Sequence, residues 1–273
     1  MKHGVQPAEV DSVVPAPSWI RDGIFGDFGR YVYRLGTPGF GSCFFDSVCA
    51  AMNYRGYLSK SIREKAAIVS EYRCSFASKL VQSKWDDFRA RREVSSSFPA
   101  NVDDMKRQLC NPKIWAKEAM ILFVSDELGI NIIFLDDKNE RMHCGIHGSS
   151  PLTQPTIFIL WIQNSHFEPI ALCLSQNPGN KTNHAHTLKM VFEPSNPNDT
   201  LFLNKVLDAY RKSCPCTRSA SRNGLCSASS SNSAGGSKKK KSRKRKSRSR
   251  SRSRTRLRRR KSPSRRKRKR TSR

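Results

Sequence analysis

The sequence has 273 residues, of which 51 are Lys or Arg and 22 are Asp or Glu, so its formal net charge is +29. This charge is concentrated at the end of the chain, where 24 basic residues and no acidic residues lie between Ser237 and Arg273. The preceding 236 residues have the balance of an ordinary, slightly basic globular domain. No apolar run approaches the length of a membrane span, so we expect no membrane partner.

The start of the chain lacks the apolar segment of a secretory signal. The nine Cys residues follow no repeating framework, and Cys214, Cys216 and Cys226 lack a fourth zinc ligand at the usual spacing. We therefore expect an intracellular protein with free thiols, nuclear or associated with a virion and not secreted. We also expect a monomer with no cofactor and no bound metal.

The first half of the chain predicts a loose leader and then a set of helices. Residues 1–18 contain three Pro and few large apolar groups, and three Gly argue against one long helix over residues 19–32. A strand is predicted at 31–35. A Gly- and Pro-rich turn then leads to Cys43, and apolar residues at helical spacing predict a buried helix from there to about Asn53.

The remaining elements define the predicted fold class. Further helices are expected from a Ser59 or Ser61 cap to Leu80 and at 85–92, 102–109, 114–128 and 201–211. Strands are expected at 130–135, 142–146, 156–162, 167–174 and 190–192. Helices followed by closely spaced strands indicate an α+β domain over residues 19–212, with a largely antiparallel sheet flanked by helices.

The position of Cys43 gives its thiol a potential chemical role. Backbone N–H groups in the first turn of a helix have no intrahelical partner, and the helix dipole favours an anion there. Both effects lower the pKa of a thiol and enrich the nucleophilic thiolate. The alternative is a buried thiol that only packs a helix end.

His166 and Glu168 complete a possible Cys–His–acid pattern. His166 follows a turn and opens a strand, and residues two apart in a strand share a face. The Glu168 carboxylate could accept from one imidazole nitrogen and leave the other to take the thiol proton. A turn or edge histidine and a solvated carboxylate are the alternatives.

Several segments carry a family resemblance. Gly41–Ser47 resembles the nucleophile motif of the ovarian-tumour (OTU) family of cysteine proteases, Asp-Gly-x-Cys-Phe-Phe/Tyr-x-Ser/Ala. Trp115–Ala119 and His166–Ile170 are similar to two further segments of that family, in the family's order. Tyr33–Pro38 resembles the segment before the Cys motif in OTU-like proteins of large DNA viruses, to which the likeness is closest.

The resemblance implies an OTU-like, papain-type cysteine protease fold and a deubiquitinase that cleaves after the C-terminal Gly of ubiquitin or a ubiquitin-like modifier. Cys43 would be the nucleophile, His166 the base and then the acid, and Glu168 the residue that orients His166. The oxyanion would be bound by backbone N–H groups of Cys43 and of the preceding turn, which is formed by Phe40, Gly41 and Ser42.

The sequence departs from the family's motifs at two positions. Phe40 stands where the family has an acid three residues before the nucleophile, and Glu168 stands where Asp or Asn is more common. Asp46, close after the nucleophile, is expected to raise the pKa of the thiol. Phe40 favours a second hypothesis, a nucleic-acid-binding or condensing protein with a catalytically silent OTU scaffold.

The end of the chain predicts a nucleic-acid-binding tail. Residues 213–236 have the composition of a flexible linker, and residues 237–273 cannot bury a core, so we expect a disordered tail. Its positive charges attract a polyanion through phosphate contacts and also fit nuclear localisation. A solubilising tail without a specific ligand is the alternative. The predicted binding residues are Lys238, Lys239, Lys240, Lys241, Arg258, Arg259, Arg260, Arg265 and Arg266.

Overall fold

The computed structural model describes residues 5–39, 41–91, 98–147, 153–173 and 188–213. The chain divides into two units, Met1–Ser229 and Ser230–Arg273, and the whole second unit lies outside the described residues. The tail, nearly all of the predicted linker and the nucleic-acid-binding residues therefore stay predictions.

The helices begin and end largely where local signals place them. A capping box of Ser61 and Glu64 starts the third helix, and Gly129, at φ 61°, ends the sixth. The sixth helix begins at Glu118 and not at Ile114, whose carbonyl accepts a hydrogen bond from Arg73. The α-helices are α1 Ser18–Ile20, α2 Cys43–Ala51, α3 Ile62–Lys79, α4 Gln82–Arg91, α5 Val102–Cys110, α6 Glu118–Leu128 and α7 Pro197–Ser213. None of the described helices is long and apolar enough to span a membrane.

The strands form one mixed sheet in the order β1-β2-β6-β5-β3-β4, with β7 paired to β6. The pair β3–β5 is parallel and the other pairs are antiparallel. The predicted α+β class with a mostly antiparallel sheet flanked by helices is therefore confirmed. The strands are β1 Val13–Pro15, β2 Val32–Leu35, β3 Asn131–Asp136, β4 Arg141–His147, β5 Thr156–Ile162, β6 His166–Cys173 and β7 Leu188–Lys189.

Both faces of the sheet are covered, which explains why the central strand β5 is almost wholly apolar. Ile157 and Ile159 belong to the core shared with α2, α3 and α6. Phe158 and Leu160 point to the opposite face, into the core shared with α7. Helix α2 packs on the first of these faces next to β6, so the start of α2 lies beside the strand that carries His166.

The prediction of a loose leader over residues 1–18 was wrong for the part that the structure describes. Residues 13–15 form β1 on β2, and the N–H of Gly36 donates to the Ser12 carbonyl at 2.9 Å. A Cβ atom on Gly36 would lie 2.0 Å from the Glu9 carbonyl oxygen, so only glycine permits this approach. The pairing partner, and not the leader's own composition, makes this segment a strand.

The expectation of free thiols is also corrected at one pair. Cys74 on α3 and Cys110 at the end of α5 form a disulfide with a Cα–Cα distance of 4.5 Å. The two residues are 36 positions apart in the chain, and neither lies in a motif that predicts the pairing. The disulfide joins α3 to α5, the two helices next to the turn before Cys43.

Candidate active site

A sharp turn delivers His166 to the start of β6. Gln163 and Asn164 both have positive φ angles, and the N–H of Ser165 donates to the Ile162 carbonyl at 2.9 Å. His166 Nε2 then lies 3.5 Å from Glu168 Oε1 on the same face of the strand. This contact is too long for a hydrogen bond, and the buried Nε2 has no hydrogen-bond partner among the described residues. Nδ1 is the ring nitrogen on the side away from the carboxylate.

Glu168 is fully buried, so the alternative of a solvated carboxylate is wrong. Its Oε1 accepts a hydrogen bond from the backbone N–H of Ala8 at 2.6 Å, and its Oε2 accepts one from Arg34 Nη1 at 2.7 Å. The same Arg34 nitrogen donates to the Gln6 carbonyl at 2.9 Å. A buried carboxylate with donors on both oxygens is fixed in place, which is what a residue that orients an imidazole requires.

The main chain of Phe167 connects this strand to helix α2. Strand β2 pairs with β6 as far as Ile170 and then ends, so Phe167 has no strand partner on that side. The Phe167 carbonyl instead accepts a hydrogen bond from the Thr37 hydroxyl at 2.7 Å, and it lies 3.0 Å from the Ser47 hydroxyl, whose single hydrogen also faces the Cys43 carbonyl at 2.8 Å. Its N–H is directed at the sulfur of Cys43. The Cys43 thiol therefore lies beside the backbone of Phe167, the residue that follows His166 in the chain.

The thiol of Cys43 is not the activated group that its helix position predicts. Its pKa is raised to about 11, chiefly by burial and also by the charge of Asp46, as predicted for that residue. The backbone N–H groups of Phe167, Phe44 and Cys43 lower the pKa, but by less than burial raises it. Without substrate, Cys43 is therefore a protonated thiol at neutral pH.

Asp46 is itself an unusual acid. The pKa of its carboxyl is about 7, because burial raises it by more than a 2.6 Å hydrogen bond from the Tyr57 hydroxyl and the charges of Lys65 and Arg73 lower it. Lys65 is fully buried and forms an ion pair with Asp11 of the N-terminal segment. The start of α2 thus rests on a buried set of charged groups.

The turn before Cys43 is packed against residues 112–114. Gly41 has φ 87°, and a Cβ atom on it would lie 2.9 Å from the Lys113 carbonyl oxygen. The Ser42 hydroxyl donates to the Pro112 carbonyl at 3.0 Å and does not cap α2. The predicted oxyanion residue Phe40 lies outside the described residues, so this part of the prediction stays open.

A groove of about 350 Å³ opens beside Phe167. Its walls are mostly apolar, with one carboxyl and one imidazole side chain among them. It is lined by Ala116, Glu118, Ile121, Phe134, His143, Trp161 and Phe167. Trp115, next to this wall in the sequence, is 46 % exposed. Such a surface suits an extended peptide with apolar side chains.

The residues that sequence reasoning missed are those that support the predicted ones. Arg34 pairs with Glu168, and Thr37 and Ser47 bind the Phe167 carbonyl. Arg34 and Thr37 belong to the Tyr33–Pro38 segment, which the sequence marks only as a likeness, and that segment was the available signal. Within the described residues, no group of three or more His, Cys, Asp or Glu side chains could hold a metal ion.

Comparisons with known proteins find similar structures but no similar sequences. No family model and no curated protein matches the chain. An ovarian tumour (OTU) domain solved in complex with ubiquitin is 17% identical, over 66% of this chain and 85% of that chain, with a TM-score of 0.36. The Hazara virus OTU bound to ubiquitin is 18% identical, over 54% and 86%, with a TM-score of 0.39.

A third similar structure is the OTU domain of OTUD1, 16% identical over 56% of this chain and 99% of that chain, with a TM-score of 0.38. All three TM-scores are below 0.5, so these likenesses decide neither the activity nor the partner of this chain. The closer likeness to proteins of large DNA viruses stays a prediction.

Proposed function

We propose that the described domain is a thiol-dependent hydrolase that cleaves the bond after the C-terminal Gly of ubiquitin or a ubiquitin-like modifier. The observation that carries the proposal is the arrangement on β6. His166 lies 3.5 Å from the buried Glu168, and the next residue, Phe167, directs its N–H at the Cys43 sulfur. This is the order of groups that a nucleophile, its base and an orienting acid require.

In this proposal His166 takes the Cys43 proton on Nδ1, and the thiolate attacks the carbonyl carbon of the modifier's C-terminal Gly. The tetrahedral oxyanion accepts hydrogen bonds from backbone N–H groups of Cys43 and the turn before it. The intermediate collapses as His166 gives its proton to the leaving amine, which forms a thioester. Water, deprotonated by His166, then hydrolyses the thioester and restores the thiol.

The groove beside Phe167 is the proposed site for the modifier's C-terminal segment. A protonated resting thiol fits this role, because a substrate that fills the groove brings its carbonyl to the sulfur before the proton moves. Trp115 is the proposed contact for the folded part of the modifier, since an exposed Trp is a frequent anchor in protein interfaces.

The test is mass spectrometry of the full 273-residue chain after reaction with ubiquitin carrying a C-terminal electrophile. We expect one adduct on Cys43, no adduct in Cys43→Ala, and a rate about 100-fold lower in His166→Ala. Trp115→Ala should slow the ubiquitin adduct but leave alkylation by a small reagent unchanged. A folded wild-type chain that forms no adduct with ubiquitin or related modifiers contradicts the proposal.

We propose in addition that the tail binds nucleic acid and concentrates the enzyme on it. Runs such as 238–241 and 258–261 supply phosphate contacts without base stacking, so binding should be independent of sequence and sensitive to salt. The test compares the full chain with a chain ending at Ser213 on single- and double-stranded oligonucleotides between 50 and 300 mM salt. Equal affinities for the two chains would contradict it.

A second candidate function has its own supporting observation, which is the buried thiol with a pKa of about 11 next to the acid Asp46. If this thiol is never activated, the domain is a silent scaffold and nucleic-acid binding is the function. The two proposals predict opposite results in the adduct assay, while both predict the tail's salt-dependent binding.

A further inference from the structure

Arg73, in the middle of α3, is fully buried and donates hydrogen bonds through all three guanidinium nitrogens. Oxygen atoms from three separate stretches of chain accept these bonds. Nε donates to the Leu109 carbonyl at 2.7 Å, Nη2 to the Gln108 and Ile114 carbonyls at 3.0 and 2.9 Å, and Nη1 to Ser42 Oγ and the Gly41 carbonyl at 3.1 and 3.5 Å.

A buried guanidinium is costly unless its surroundings compensate its charge. Gln108 and Leu109 lie in the last turn of α5, where carbonyl oxygens carry the negative end of the helix dipole. The guanidinium also lies over the ring of Phe45, at 4.5 Å from its centroid. The carbonyl oxygens at the end of α5 and the ring of Phe45 therefore stabilise the buried charge of Arg73.

The contacts of Arg73 converge on the turn that precedes the nucleophile. Gly41 and Ser42 pack against Pro112 and Lys113, and Arg73 binds both the turn and the Ile114 carbonyl. The disulfide of the next residue, Cys74, joins the same two helices. The guanidinium group of Arg73 thus holds this turn in place through its hydrogen bonds. In the same turn, the resembling motif has an acid where this chain has Phe40.

We propose that Arg73 is a positioning residue for the reaction proposed above, on which this inference rests. Its guanidinium fixes the backbone of Gly41 and Ser42 so that the oxyanion donors stay aligned, and its charge favours the thiolate of Cys43. Burial lowers the pKa of Arg73, and the negative charges of Asp46 and of a Cys43 thiolate raise it. The resting thiol is neutral, so this attraction between Arg73 and Cys43 acts only once the thiolate forms.

The experiment compares Arg73→Met and Arg73→Lys in the full chain with the matched control Arg55→Met, whose side chain pairs with Glu71 at the surface. Each variant is followed by the rate of the ubiquitin–electrophile adduct and by alkylation of Cys43 with iodoacetamide from pH 7 to 12, a range that includes the Cys43 pKa of about 11. The Cys43 peptide is quantified by mass spectrometry, and thermal unfolding monitors the fold.

We expect Arg73→Met to slow the adduct about 100-fold and to move the pH midpoint of alkylation upward by about one unit, because the cation is lost. Arg73→Lys should keep the midpoint but slow the adduct about tenfold, because an ammonium lacks the planar fork. Arg55→Met should match the wild type. An unchanged midpoint in a folded Arg73→Met chain would overturn the inference.

If Arg73→Met does not fold, Arg73→Lys and Ser42→Ala test the positioning role of Arg73 instead. Wild-type adduct rates in both would overturn the positioning role, because each removes part of the fork. A wild-type chain that is alkylated at Cys43 but forms no ubiquitin adduct would refute the proposed function. The alkylation midpoints would then still test the effect of Arg73 on the thiol.

Discussion

The two halves of the candidate site treat a buried ionisable group in opposite ways. In the strand half, the Glu168 carboxylate is fully buried but receives Arg34 at 2.7 Å and the Ala8 N–H at 2.6 Å. In the helix half, the Cys43 thiol is buried with a carboxyl, Asp46, close by, and its pKa rises to about 11. The strand half stabilises the Glu168 carboxylate, whereas the helix half disfavours the thiolate form of Cys43.

This difference indicates which side chains of the site are already held in position before a ligand binds. The strand half is complete before substrate arrives, because both carboxylate oxygens have donors and the imidazole lies next to one of them. In the proposed reaction, the Cys43 thiol of the helix half becomes reactive only when a substrate carbonyl is bound and the imidazole accepts the thiol proton. A thiol that is protonated at rest is also less exposed to oxidation.

The largest effect is expected from breaking the strand half with Arg34→Met. The Glu168 carboxylate would keep only the Ala8 N–H and the 3.5 Å contact with His166 Nε2, and a buried charge that loses its partner costs about 3 to 5 kcal/mol. Urea unfolding measures this cost, and the control is again Arg55→Met, whose exposed ion pair contributes little to stability. Equal losses in the two variants would show that Arg34 does not stabilise the buried carboxylate.

The helix half is tested by measuring how the stability of Asp46→Asn depends on pH. The folded pKa of Asp46, about 7, lies above its ordinary value of 3.8, so the folded state binds the proton more tightly. Its contribution to stability is present below pH 3.8 and is lost as pH rises towards 7, by at most about 4 kcal/mol. Thermal unfolding from pH 4 to 8 should show this decline in the wild type.

Asp46→Asn should remove that decline, and the exposed Asp103→Asn should retain it. The same substitution should lower the pH midpoint of Cys43 alkylation, because the charge that disfavours the thiolate is gone. A variant that keeps the wild-type pH dependence would refute the assignment to Asp46.

The smallest effects concern the hydroxyls that join the halves at the Phe167 carbonyl. Thr37→Val or Ser47→Ala each leaves the other hydroxyl as a donor, so each should cost about 1 kcal/mol. The double variant leaves the carbonyl without either hydroxyl and should cost more than the sum, as measured by urea unfolding in a double-mutant cycle. Strict additivity would mean that the two bonds do not substitute for each other.

Features that depend on neighbouring residues could be predicted from the sequence. The capping box of Ser61 and Glu64, the left-handed Gly129 and the helix that begins at Cys43 follow from spacing and turn chemistry. The shared face of His166 and Glu168 follows from the two-residue period of a strand. These predictions needed no knowledge of what packs against each element.

The surroundings of these groups depend on segments that are distant in the sequence and meet only in the folded chain. Ala8 donates to Glu168 across 160 positions of the chain, and Arg73 binds carbonyls 35 to 41 positions away. The pKa of Cys43 was mispredicted for the same reason, since its helix position is a local property but its burial depends on α2 packing against β6. Desolvation and long-range pairing arise only when distant segments meet, so no local pattern carries them.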